Sequence, residues 1–158
     1  MKILIKSCKI ISPSKEGENK IVDILIENGI IIKIDATIDE NVDQLIEYPN
    51  LHVSQGWYDC KVNLCDPGLE HKEDFTSGLK AAEAGGFTAI SITPDTVPTL
   101  TNKSQIEYVI KSASFSSVDM FPFGTITEQL KGEQLAEIYD MQNSGAVAFT
   151  DAFQDVSA

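Results

Sequence analysis

Arginine is absent: all 12 basic residues of the 158 are lysine, and they face 24 acidic residues for a net charge of −12. That balance argues against nucleic acid and against an anionic membrane surface as partners. It also removes the guanidinium fork, the usual bidentate holder of a carboxylate. Histidine is nearly absent, with only His52 and His71, and no Ser/His/Asp or Cys/His constellation can be assembled from them. Cysteine is scarce and odd in number: Cys8, Cys60 and Cys65 lack Cys-x-x-Cys spacing, and Lys6 and Lys9 interrupt the apolar start, so no signal peptide is read. The three read as reduced thiols of a cytoplasmic protein, with a reactive Cys65 as the alternative. No apolar run approaches the roughly 18 residues of a membrane span. The Gly85-Gly86 pair lacks a phosphate-loop pattern.

What is present suits a globular α/β protein. The hydrophobic content of 42% supports a sizeable core in a chain of one ordinary domain's length. Residues 1–50 carry short β signals: alternation over 2–11, a β-branched run over 21–27, an Asn28-Gly29 hairpin turn and a second strand over 30–34. Residues 12–20 read as a polar loop and 39–44 as a polar connector. From residue 51 the pattern becomes strand then helix, repeated, as in parallel β/α units. Strands are predicted over 59–65, 87–93, 118–124 and 146–150, and helices over 70–84, 102–113 and 133–143. Asn102 is the expected N-cap of the second helix, with Gln105 three residues on. The organisation expected is a small β unit over 1–50 and four β/α units over 51–158.

The first of these strands is the most informative segment. Asp59-Cys60-Lys61-Val62-Asn63-Leu64-Cys65 reads as a buried strand closed by the turn Asp66-Pro67-Gly68. Strand alternation would set Lys61, Asn63 and Cys65 on one face and Cys60, Val62 and Leu64 on the other.

This segment continues through Leu69 and is followed by Glu70-His71-Lys72-Glu73-Asp74-Phe75, Ala84-Gly85-Gly86-Phe87-Thr88 and Thr93-Pro94-Asp95-Thr96-Val97-Pro98. Four such blocks in this order and spacing resemble the dihydroorotase branch of the amidohydrolases. The resemblance implies an N-terminal portion of a composite β-sandwich followed by the first half of a (β/α)8 barrel, whose complete form typically takes about 250 residues. It places two zinc-binding histidines at Lys61 and Asn63, and a carboxylate-holding arginine at Cys65. A lysine ammonium has no lone pair to offer zinc, and an amide oxygen is a poor ligand. In the family block matching Thr93 to Thr96 an asparagine helps hold the substrate carboxylate, and here Asp95 stands there. Asp95 also suits a turn or cap. Asp151 matches an aspartate that bridges two metals in one branch, and is the candidate remaining metal ligand, although a strand-end aspartate can equally be a solvated loop residue. Thr125 lies after the third strand.

The resemblance implies metal-dependent opening or closing of a cyclic amide in pyrimidine biosynthesis. With Lys61, Asn63, Cys65 and Asp95 in those positions, no intact catalytic set and no cofactor are expected. The expected role is a non-catalytic scaffold or regulatory partner, as in family members that hold aspartate transcarbamoylase. The alternative is an active dihydroorotase or related cyclic amidohydrolase whose zinc site is rearranged and completed by residues outside this chain. A third possibility is a fragment without independent function. Lys61 is expected to fill the former metal position and pair with Asp151. The half barrel is expected to pair with its missing C-terminal half or with another copy.

Overall fold

The computed structural model describes residues 1–12 and 20–157, and the expected loop at 12–20 falls, apart from its two ends, outside the described residues. The chain divides into two compact units, Met1–Gln55 and Gly56–Ala158. Among the described residues no helix is long and apolar enough to cross a membrane.

The first unit is a five-stranded sheet: β1 (Lys2–Ile11), β2 (Ile21–Glu27), β3 (Ile30–Asp35), β4 (Gln44–Ile46) and β5 (His52–Ser54). Its order is β3-β2-β1-β4, with β5 also on β1. Asn28 and Gly29 both have positive φ, 51° and 81°, the conformation a two-residue hairpin demands and the reason Asn-Gly serves there. β4 and β5 run parallel to β1. The pairing of Lys9 to Ile11 with His52 to Ser54 carries the first unit past the expected boundary at residue 50. His52 therefore belongs to this sheet instead of leading into the barrel strand.

β1 is bulged between Ile5 and Cys8, where Ser7 sits at φ 53°. The carboxylate of Asp23, only 4% exposed, closes the irregularity: Oδ1 accepts from Ser7 N and Oδ2 from Ile38 N, each at 2.9 Å. Ile38 is thereby drawn into a small core with Leu4 and Leu25. Burial raises the Cys8 thiol above its ordinary pKa, the foremost cause, and it donates to Val22 O. Ile30, Ile31, Ile32 and Ile34 of β3 are all at least half exposed.

The second unit is a four-stranded parallel sheet, β6 (Trp57–Val62), β7 (Phe87–Ile92), β8 (Asp119–Gly124) and β9 (Ala148–Phe149), in sequential order. The crossovers carry α1 (Phe75–Ala84), α2 (Lys103–Ser112) and α3 (Ile138–Asn143). Phe75, Leu79, Ile106, Val109 and Met141 from the helices form one core with Ile90, Ile92 and Met120 from the sheet. The opposite sheet face carries Tyr58, which hydrogen-bonds Ser91 and meets Phe121 edge-on at 6.4 Å. Helices on one face and an open face opposite make this the expected half of a β/α barrel.

Capping places the helices. Asn102 and Gln105 form the predicted reciprocal capping box, and Asp74 with Ser77 forms a second one. The latter starts α1 at Phe75, not at residue 70 as predicted, because residues ahead of a cap satisfy their amides outside the helix. α3 also starts later than predicted: Leu135 bridges to Thr127, which holds residues 133–137 extended or bent. The predicted buried strand over 59–65 is in fact the edge strand β6, mostly exposed, and it ends at Val62. It is also bulged: Asp59 faces Ile90 and Val62 faces Ile92, so Cys60 and Lys61 stand against Ser91 alone. Asp59 therefore shares the helix-facing side with Val62.

Asp23→Ala is expected to destabilise the first unit by about 1–3 kcal/mol, the cost of two stranded amides. Hydrogen exchange should show the loss at the Ser7 and Ile38 amides; retained protection there would contradict the role given to Asp23.

Candidate functional site

The ends of β6, β7 and β9 converge on a hollow of about 280 Å³ lined by Lys61, Asn63, Thr93, Asp95, Ala152 and Phe153. This is the C-terminal end of the sheet, where barrels of this type build their sites. A larger hollow of about 350 Å³ lies between β6 and α1, on the helix side, and shares Asn63 with the first.

Asn63 organises the floor. Its Nδ2 donates to Asp95 Oδ2 at 2.9 Å, and its Oδ1 accepts from Cys65 N at 2.8 Å. Both ends of the amide are thus engaged. Cys65 takes φ 60°, and its carbonyl accepts from Leu69 N at 2.8 Å, so the chain folds back into a tight loop. Cys65 does not line the hollow. The loop then docks on the one after β7: Val97 N donates to Pro67 O at 2.9 Å. A Cβ at Gly68 would lie 1.8 Å from Val97 O, so no larger residue fits.

Asp66, 8% exposed, accepts from the Tyr108 hydroxyl at 2.8 Å. That hydrogen bond, helped by burial, holds the Tyr108 phenol above its ordinary pKa. A raised pKa means that the folded state favours the neutral phenol. Its stabilisation is present below the ordinary tyrosine range and is lost as pH rises through the folded value.

Asp151 is 3% exposed and fully engaged. Oδ1 accepts from Ile126 N at 2.8 Å and Thr127 N at 2.9 Å, and Oδ2 accepts from the Thr127 hydroxyl. Thr127 in turn accepts from Gly132 N at 2.8 Å. The expected Lys61–Asp151 ion pair is not formed. Three local donors satisfy the carboxylate, and the Lys61 ammonium instead lies 4.9 Å from the centroid of the Phe153 ring. Thr125 is fully buried and donates to Thr101 Oγ1 at 3.0 Å. His71 is exposed, and His52 Nδ1 lies 2.7 Å from Asn50 O.

The donor set does not fit zinc. Lys61 brings a cation, the Asn63 amide is engaged with Asp95 and Cys65, Asp151 is committed to its loop, and Asp95 alone is one carboxylate, too few for a zinc site. Among the described residues no group of three or more His, Cys, Asp or Glu could hold a metal ion. Ala152 and Phe153 were not foreseen as lining residues; they sit in a short non-periodic stretch after β9, where pattern carries no signal.

Residues 52–158 match the dihydro-orotase-like family model. The chain belongs to that family. Dihydroorotases from Ruminiclostridium cellulolyticum and Aquifex aeolicus are 40% and 41% identical over 152 residues, 96% of this chain. The chain spans about a third of those curated relatives, 35% and 36%. Among solved structures, the L-hydantoinase (dihydropyrimidinase) of Arthrobacter aurescens superposes with a TM-score of 0.78 at 26% identity, covering 93% of this chain and 32% of that one. A crystal structure of a dihydroorotase covers 94% of this chain and 41% of its own, with a TM-score of 0.61 at 15% identity, a likeness of fold. The amidohydrolase half-barrel expected from the sequence blocks is thus the family's architecture.

Two outcomes check this account. Asp151→Ala should cost about 2–4 kcal/mol by stranding buried donors and expose the Ile126 and Thr127 amides to exchange; unchanged protection would refute the stapling role. Tyr108→Phe should flatten the loss of stability that the parent shows above about pH 10 in denaturant titrations, and an unaltered alkaline limb would contradict the Asp66 contact.

Proposed function

We propose that this chain serves pyrimidine biosynthesis as a dihydroorotase-like protein without its own metal-dependent cyclic amide hydrolysis, acting as a non-catalytic scaffold or regulatory partner. The observation that carries the reading is the Asn63 amide, which engages Asp95 through Nδ2 and the Cys65 N–H through Oδ1. A hydrolytic zinc site needs neutral imidazole or carboxylate donors around an open position for water. At the two histidine positions Lys61 and Asn63 supply neither. The remaining carboxylate, Asp151, holds the loop after β8.

Aspartate transcarbamoylase is the partner proposed, on the resemblance to non-catalytic family members. A rearranged zinc site that draws on residues beyond this chain is the competing reading, and roughly 40% identity to proteins named dihydroorotase favours it.

Zinc content and dihydroorotase turnover, measured on the purified full-length protein beside a Lys61→His, Asn63→His, Cys65→Arg variant, separate the two. The expected parent holds no stoichiometric zinc and shows no turnover, and co-elutes with aspartate transcarbamoylase in size-exclusion chromatography. Zinc together with turnover in the parent would overturn the proposal.

A further inference from the structure

The hollow at the strand ends holds two opposite charges that do not pair with each other. Lys61 and Asp95 both line it, yet among the described residues no ion pair joins them. Asp95 is oriented by Asn63 through Oδ2, while Oδ1 is shielded from solvent and accepts no hydrogen bond. A buried carboxylate oxygen without a donor is costly. The Lys61 ammonium lies over the face of Phe153, and Phe153 itself is 82% exposed.

From these features we infer that the hollow binds a small zwitterion, with its carboxylate on the Lys61 ammonium and its ammonium on the Asp95 carboxylate. A simple anion would meet Lys61 but be repelled by Asp95, and a simple cation would meet the reverse. A ligand carrying both charges answers the Asp95 carboxylate and the unpaired Lys61 ammonium together. This differs from the arrangement that the family resemblance implies, in which arginine and asparagine both serve one carboxylate. The inference rests on the reading that no metal is held at this end of the sheet.

The probes are glycine, β-alanine and γ-aminobutyrate, whose charges are spaced progressively further apart, with acetate and methylammonium as single-charge controls. Isothermal titration of the whole protein, with zinc content measured on the same sample, is expected to show at least one zwitterion binding about ten-fold or more tightly than either control. Asp95→Asn and Lys61→Met should each weaken that binding by about ten-fold or more, with circular dichroism unchanged. No preference for any zwitterion over the controls, or unchanged affinity in both folded variants, would overturn the inference. Zinc in the parent would defeat the metal-free reading separately, leaving the variant comparison to decide this one.

Discussion

One side-chain amide sets the geometry of the strand ends. Asn63 reaches from the end of β6 to Asp95 beyond β7 and at the same time pins the backbone of Cys65. With Cys65 held in a left-handed turn, the chain through Gly68 comes against the Val97 carbonyl so closely that a side chain is excluded. The loops after β6 and β7 therefore behave as one body, and Asp95 is presented at a fixed angle. An amide can do this because it donates and accepts at once. A metal-bound imidazole would have its free ring nitrogen alone for such work.

Electrostatics at this end of the sheet follow from what the side chains can and cannot do. Asp151 is buried, and a buried carboxylate needs donors close by; two backbone amides and a hydroxyl supply them. Lys61 stays exposed, where an ammonium keeps its water and gains modestly from an aromatic face. Pairing Lys61 with Asp151 would have required drawing the lysine out of water or stripping the loop of its anchor. The observed arrangement avoids both.

Much of the fold was legible because its determinants are local. Asn28-Gly29 fixes a hairpin by conformation alone, and Asn102 with Gln105 fixes a helix start within four residues. The blocks around Asp66-Pro67-Gly68 and Thr93-Pro94 located the strand ends, and Lys61, Asn63 and Asp95 do meet there. What escaped depends on partners distant in sequence. β5 is a strand because β1 offers it an edge, and α3 is shortened because Leu135 bridges to Thr127. Likewise, Asp151 looks like a free ligand until the Ile126 and Thr127 amides, 25 and 24 residues earlier, are placed against it. Phe153 has no periodic context at all.

The bulge in β6 separates two things that a sequence pattern merges. The extra residue between Asp59 and Val62 is a phase slip, which returns Val62, the last residue of the strand, to the helix side that Asp59 also faces. Where a side chain points is thus written in the number of residues, and what it does there in their identity. Exchanging Lys61 leaves its address intact, so that position can change its chemistry without refolding, whereas Asn63 and Gly68 hold the loop that follows. Adding or removing a single residue would keep every side chain and misdeliver them all.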